Sequence, residues 1–526
     1  MRGISMGSSC VIARRLARTV GRCAAVLLTA VAVGLAPATA TAAEPRKGGV
    51  LTVGLEADFP GFDPLGMGAL VERMVAVSFY EPLMEISEKG HIVPHLAESL
   101  SVSADGMTYT AKLREGVKFH DGTPFDADAV VSNFRRLMDP AKGCRCLAEV
   151  SSVRSVDKTG PYTVEFRLKV ANAAFPAVLA DVAGLQPSPT AIRKAESAGR
   201  NYAEAPVGTG PFRFVEWKRG ISLRVERNPD YWQKGLPHLD AVVYRPIPDG
   251  QTRMASLTAG DIQLAAVPAA NDVAAAKSGQ TRVKVLESPG LGSVFAMFHA
   301  QRAPTNDARV RQALFHATDR ALILRTINRG VYPIVNAPFG PGMMAGRIDV
   351  AFPEYNPDKA RALLKEYGKP VRFTLSVSAV PSSVQMAQVF QQMWQKVGIE
   401  VTIEQLEQLQ LIRKAIKNDF DAMYFRWPGR ADPDLNAYQF FHSSSPRNYT
   451  QYRNPEMDKL LEQARSALDA KVRLDTYGKV AQLLARDGTY LFLHSTTNYF
   501  LSSRKLDGLP KVPDGLPRVG HVWLER

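Results

Sequence analysis

The sequence predicts an α/β protein built from at least two lobes, and three observations carry that expectation. Period-2 and period-3.6 apolar patterns interleave throughout residues 44–526, which argues for layered strands and helices rather than a helical bundle or an all-β sandwich. Single hydrophobic cores stop growing at about 250 to 300 residues, so a chain of this length needs more than one. Neither an internal repeat nor a low-complexity linker interrupts the pattern, so the lobes are expected to share crossing strands and a hinge.

Residues 1–43 read as a secretory leader. Arg2, Arg14, Arg15, Arg18 and Arg22 stand there without one acid, an apolar run follows from Cys23 to Ala36, and small residues place cleavage near Ala42 or Ala43. The run is shorter than the roughly 20 residues of a membrane-spanning helix. Neither Cys10 nor Cys23 has the setting of an acylated cysteine. The expectation is a soluble, unanchored periplasmic protein, exported by the general secretory route in preference to the twin-arginine one. Removing the leader's five arginines leaves +9 of the chain's +14. That surplus forms no basic cluster with interleaved aromatics, so nucleic acid is not an expected partner.

The elements follow from local patterning. Asp126 can cap a helix over 126–138 whose Val130, Phe134, Leu137 and Met138 share a face, with Arg135 and Arg136 at its C-terminal end. Tyr109, Ala111 and Leu113 alternate as a strand, as do Tyr162, Val164, Phe166 and Leu168; 213–227 reads as a hairpin turning at Lys218-Arg219-Gly220. The best unit spans 371–403. Val371, Phe373, Leu375 and Val377 alternate, Met386, Val389, Phe390, Met393, Trp394 and Val397 form a helical stripe, Gly398 ends it, and Ile399, Val401 and Ile403 alternate again. Further helices are expected at 306–327, 357–367, 455–468 and 472–486.

Catalytic signatures are missing: there is no Gly-x-Ser-x-Gly, no Gly-Lys-Ser/Thr phosphate loop and no His-Glu-x-x-His. Gly208-Thr209-Gly210-Pro211 reads as a turn. His120-Asp121 has the form of a base and its orienting acid, but Lys118 to Pro124 reads as a strand end and turn. The nine histidines are scattered, and Pro94 breaks the helical spacing of His91 and His95, so no metal or cofactor is expected. Cys144 and Cys146 either close a tight bridge or remain free thiols; the residues leave both open.

Taken in order, the segments resemble the bacterial extracellular solute-binding proteins of family 5, receptors of peptide, dipeptide, opine and nickel ABC importers. The likeness opens at Gly48-Gly49-Val50-Leu51-Thr52-Val53 and Phe62-Asp63-Pro64. It is densest at Tyr80-Glu81-Pro82-Leu83, Pro94-His95-Leu96-Ala97-Glu98-Ser99, and Leu113 to Phe125 with Asp128-Ala129-Val130. It continues through Pro206 to Phe212, Arg227-Asn228-Pro229-Asp230-Tyr231-Trp232, Asp307 to Leu314, and Tyr355 to Ala360. The resemblance implies a two-lobed periplasmic-binding-protein (Venus flytrap) fold with an extra subdomain inserted in the first lobe. On that template the first lobe takes 44–297 and 494–526, the insertion about 79–206, and the second lobe 298–493. It also implies a binding protein rather than an enzyme, a monomer that closes over a small organic ligand and delivers it to a membrane ABC permease.

The same resemblance points to two ligand-contacting stretches. One is Met67-Gly68-Ala69-Leu70, where an extended ligand would pair main chain to main chain, although Gly68 is equally readable as an ordinary loop glycine. The other is Trp427-Pro428-Gly429-Arg430-Ala431-Asp432-Pro433-Asp434. Peptide receptors of the family hold the ligand's amine with an aspartate three residues after that tryptophan; here the count reaches Arg430, or Gly429 if counted back from the Asp-Pro pair. The carboxylate-binding arginine of dipeptide relatives falls near Val377. Arg430 is therefore expected to offer its guanidinium to an acidic ligand, against the alternatives of a solvated loop arginine or one paired with Asp432 or Asp434. Trp427 would form an apolar wall or simply pack in the core, and Asp432 and Gly429 complete the candidate set. Two other readings stay open: a metal or metallophore receptor using His442, and a secreted hydrolase using His120 with Asp121, or Asp432 with Asp434.

Overall fold

The structure is a computed structural model that describes residues 45–525; the leader expected at 1–43 lies outside them. Among the described residues no helix is long and apolar enough to cross a membrane.

The expected hairpin forms: Phe212–Lys218 pairs antiparallel with Ser222–Arg227, turning where Gly220 adopts φ +70°. It continues into a seven-stranded mixed sheet whose order is Lys284–Ser288, Asn498–Ser502, Leu264–Ala266, Val50–Leu55, Ala241–Pro246, Ser222–Arg227, Phe212–Lys218. Val50–Leu55 lies at its centre, parallel to both neighbours, and buries Leu51, Val53 and Leu55 completely.

A second sheet of five strands runs in the order Ile399–Leu406, Val371–Ser378, Ala422–Trp427, Ser293–Phe298, Tyr490–Ser495. The unit expected at 371–403 is here in full: parallel strands in register from Val371 opposite Ile399 to Ser378 opposite Leu406, crossed over by helix Pro381–Gln395. Trp394 is fully buried, stacks on Phe390 at 4.9 Å and donates from Nε1 to Thr318 Oγ1 at 2.9 Å. A tryptophan buried deep in a core needs that acceptor for its polar edge.

Between the first strand and the hairpin lies a four-stranded antiparallel sheet ordered Ala97–Val102, Thr108–Leu113, Thr163–Leu168, Val153–Gly160. Helix Ala127–Met138 packs on it, capped as expected by Asp126, whose carboxylate accepts from Ala129 N at 3.0 Å. One expected helix is divided: 306–327 forms Ala308–His316 and Arg320–Thr326. Asp319 supplies a competing N-cap to Leu322 N at 2.8 Å, and Thr318 turns its hydroxyl back to Leu314 O at 2.7 Å.

The chain passes between the two large sheets twice among the described residues, at 289–292 and at 496–497. Strand Ser293–Phe298 pairs along its whole length in the second sheet, so it spans the expected boundary at 297/298. The first crossing is built for close approach. A Cβ on Gly292 would lie 2.0 Å from the Trp427 carbonyl oxygen, and one on Gly429, itself at φ +86°, would lie 2.3 Å from the Leu291 carbonyl carbon. Only glycine fits at either place.

Trp394→Ala is expected to cost about 3–5 kcal/mol of stability, measured by urea unfolding. A loss under about 1 kcal/mol would show that the crossover helix is not docked through this side chain.

Candidate functional site

The two expected ligand stretches are brought toward one junction, where three elements meet. Asp63 precedes the first stretch: it accepts from Leu65 N at 3.0 Å and takes a bidentate pair from Arg136 at 2.7 and 2.5 Å. Loop 63–69 is thereby fixed to the helix of the inserted sheet. Met67 is buried in the first core, while Gly68 and Ala69 are exposed. The amides of Gly68 and Ala69 are already engaged, for both donate to Glu72 Oε1, the latter at 2.6 Å. Leu70 opens the short helix Leu70–Ala76, which carries Glu72 and Arg73 inward.

Arg430 comes from the second sheet's side. Its backbone N donates to Asn436 Oδ1 at 2.8 Å, and the Trp427 indole donates to that same oxygen at 2.8 Å, so one asparagine holds both ends of the loop. Trp427 stands edge-on to Phe440 with ring centroids 4.9 Å apart, and the Arg430 guanidinium lies 5.0 Å over its ring. Trp427 thus serves packing and is half-buried at the same time.

The partners of Arg430 differ from those the sequence offered. Asp432 is taken by Arg473 in a bidentate pair at 2.9 and 2.6 Å, and Asp434 by Arg465 at 2.8 Å. Arg430 instead places Nε on Asp181 of the inserted segment. Asp181 also receives Arg73 Nη2 at 2.6 Å and Val182 N at 2.8 Å. Its side chain is nearly inaccessible. Burial would raise the carboxyl's pKa, but Arg430 and Arg73 outweigh it and hold it below the ordinary value. Nearby, Arg447 lies 3.6 Å from Glu149 and donates to the Arg145 carbonyl at 3.2 Å; burial raises the Glu149 carboxyl. A backbone bond from Ala173 N to Arg465 O, 2.8 Å long, closes the same seam.

Sequence reasoning missed Arg73, Asp181 and Arg447. A signal existed for the first two: Glu72-Arg73 and Asp181 are charges inside otherwise apolar runs, and such charges are buried only when paired.

Behind Asp181 a cavity of about 150 Å³ reaches into the first lobe, lined in part by Arg73, Glu85, His95, Tyr231 and Arg518. His95 donates to Glu81 at 2.9 Å and to Glu85 at 3.2 Å. Burial alone would lower its pKa; the two carboxylates overcome that and raise it to about 9. Glu81 is further held by Thr209 at 2.7 Å, Tyr231 at 2.7 Å and Trp232 at 3.0 Å.

Other candidate groups are committed elsewhere. His120 joins the Gly208–Gly210 turn, with Nε2 2.9 Å from Gly210 O and Nδ1 accepting from Gly208 N at 3.4 Å; burial lowers its pKa to about 4. Asp121 accepts from Ser188 Oγ at 2.6 Å. His442 faces Glu462 at 3.3 Å, and among the described residues no group of three His, Cys, Asp or Glu is placed to hold a metal ion. Cys144 and Cys146 form a disulfide.

A strand-bridged pair of lobes whose facing loops carry a desolvated charge cluster is one arrangement for closing on a solute. Comparison decides the family: residues 91–449 match the model of the bacterial extracellular solute-binding proteins, family 5 middle region. The chain belongs to the family 5 solute-binding proteins. It is 32% identical to the oligopeptide-binding protein AppA of Bacillus subtilis over 92% of this chain and 93% of that one. It is 31% identical to the glutathione-binding protein GsiB of Escherichia coli K12, over 92% and 96%. AppA in complex with a nonapeptide superimposes with a TM-score of 0.80 at 30% identity, covering 92% of this chain and all of that one. DppA of Helicobacter pylori in complex with the peptide STSA gives 0.83 at 27%, covering 92% and 99%. These likenesses establish the two-lobed solute-binding fold.

The His95 pair carries a pH signature. Its folded pKa lies above the unfolded 6.5, so the folded state holds the extra proton. The stabilisation, about 3 kcal/mol by linkage, is complete below pH 6.5 and lost as pH rises through 9. The stability difference between wild type and His95→Gln, followed by denaturant melts from pH 6 to 10, is expected to shrink over that window.

Proposed function

We propose that this protein is the extracytoplasmic receptor of an ABC importer, capturing a peptide-like or other small organic solute by hinge closure and passing it to the membrane permease. The observation that carries the reading is the Arg430–Asp181–Arg73 cluster, in which a second-lobe guanidinium is buried against a first-lobe carboxylate at the meeting point of the two candidate ligand loops. Relatives named for oligopeptide and glutathione binding support the solute class. In this reading residues 1–43 are the export leader, the protein acts as a monomer, and the lobes divide at the crossings 289–292 and 496–497.

Ligand contacts are assigned as follows. Gly68, Ala69 and the adjoining Met67 and Leu70 present main chain to an extended ligand, once Glu72 yields the two amides. Trp427 and Gly429 form the facing wall. Arg430 acts chiefly as the clasp of the closed form, with Asp181 as its counter-ion, and Asp432 holds the loop in shape through Arg473. A receptor that closes with the solute between its lobes binds more tightly the larger the closed fraction.

A thermal-shift screen of di- to pentapeptides and glutathione tests the reading; one ligand class should raise the melting temperature as RT ln(1 + [L]/Kd) requires, with no turnover of the solute. Arg430→Ala should weaken binding of the best peptide by about tenfold to a hundredfold, the range for losing a charge-assisted contact. Calorimetric titration showing an unchanged Kd would remove Arg430 from the closing machinery.

A further inference from the structure

Besides Arg136, Arg465 and Arg473, which hold Asp63, Asp434 and Asp432, the junction has four guanidinium groups, and three of them are matched: Arg73 and Arg430 share Asp181, and Arg447 faces Glu149. The fourth, Arg145, has no carboxylate of the described residues within ion-pair distance. Glu72, the remaining acid beside it, gives Oε1 to the Gly68 and Ala69 amides and leaves Oε2 buried without a hydrogen-bond partner; the Arg145 charge acts on this carboxyl only from beyond ion-pair distance. Arg145 lies directly over the candidate ligand loop. A Cβ on Gly68 would come within 2.9 Å of Arg145 Nη1, and that nitrogen reaches Gly66 O at 3.3 Å.

The Cys144-Arg145-Cys146 segment is built to hold this side chain out. Both cysteines are buried, at 6% and 3% exposure, and are joined to each other, while Arg145 between them is exposed. Its amide donates to Leu65 O at 2.9 Å, and its carbonyl accepts Arg447 from the opposite lobe at 3.2 Å. The backbone of Arg145 is therefore fixed by the bridge on both sides, by the ligand loop and by the other lobe, while its guanidinium keeps free donor positions. A cation whose base is already ordered binds an anion with less entropy lost.

We propose that Arg145 is the specificity-determining group that receives a carboxylate of the ligand, and that the Cys144–Cys146 bridge positions it. The assignment rests on the peptide-like reading above and deepens it: the preferred solute carries a free carboxylate near the Gly68 end of the site. Arg430, already neutralised by Asp181, does not supply that preference.

The test is calorimetric titration of trialanine, its C-terminal amide and glutathione into wild type, Arg145→Ala, Arg145→Lys and the Cys144→Ser/Cys146→Ser double variant, each checked for an unchanged melting transition. Wild type is expected to bind the free acid more tightly than the amide. Arg145→Ala should weaken the acid by about tenfold to a hundredfold and leave the amide unchanged, with partial recovery in Arg145→Lys. The double variant should shift the acid in the same direction by a smaller factor. Equal losses for acid and amide, no loss at all, or equal wild-type affinities would overturn the Arg145 assignment while leaving the peptide reading intact. Failure of wild type to bind any of the three would overturn the peptide reading and this assignment with it.

Discussion

Asp181 is a carboxylate removed from water, and such a group is tolerated only where cations and donors replace its hydration. One of its two arginines, Arg73, comes from the same lobe, and the other, Arg430, crosses from the second. That division sets how the lobes behave. When they part, Asp181 keeps Arg73 and the Val182 amide, so opening strands no naked charge in the first lobe. The closed form gains the second pair but has to desolvate Arg430 to make it. Under the proposed hinge closure the pair favours the closed form only by the amount its gain exceeds that cost.

The loops that face each other are stiffened by charges already paired within the protein. Arg473 with Asp432 and Arg136 with Asp63 each tie a loop to a helix through hydrogen-bonded ion pairs, and Arg465 with Asp434 joins helix Pro455–Ser466 to helix Asp434–Phe441. Asn436 joins Trp427 to Arg430 in the same manner. Asp432 and Asp434, which look in the sequence like partners for Arg430 or for a ligand, are here held by Arg473 and Arg465. Ordering before the ligand arrives reduces what binding has to order.

The sequence made the fold legible wherever pattern is local. The parallel unit around Trp394, the hairpin at Gly220 and the Asp126 cap all follow from period, turn residue and capping chemistry within a few positions. The split between His316 and Arg320 was harder, because Thr318 and Asp319 compete locally with a helix that the apolar pattern continues. Pairing across the lobes was not legible at all. Asp432 and Asp434 are near Arg430 in the chain, yet the carboxylate it meets is Asp181, roughly half the chain away. Nothing in linear order encodes which of several acids a hinge will bring to an arginine. The cysteine pair stood between two states in the sequence, and it is the buried setting of both side chains that accompanies the bridge.

The close approach of Gly292 to the Trp427 carbonyl, and of Gly429 to Leu291, joins the crossing segment to the recognition loop with no side chain between them. Backbone against backbone leaves no compressible padding, so a rotation about the crossing turns the Trp427–Arg430 loop by the same angle. Under the proposed hinge closure, the crossing and the Trp427–Arg430 loop would move as one lever, and the grip on the solute would follow how far the lobes swing.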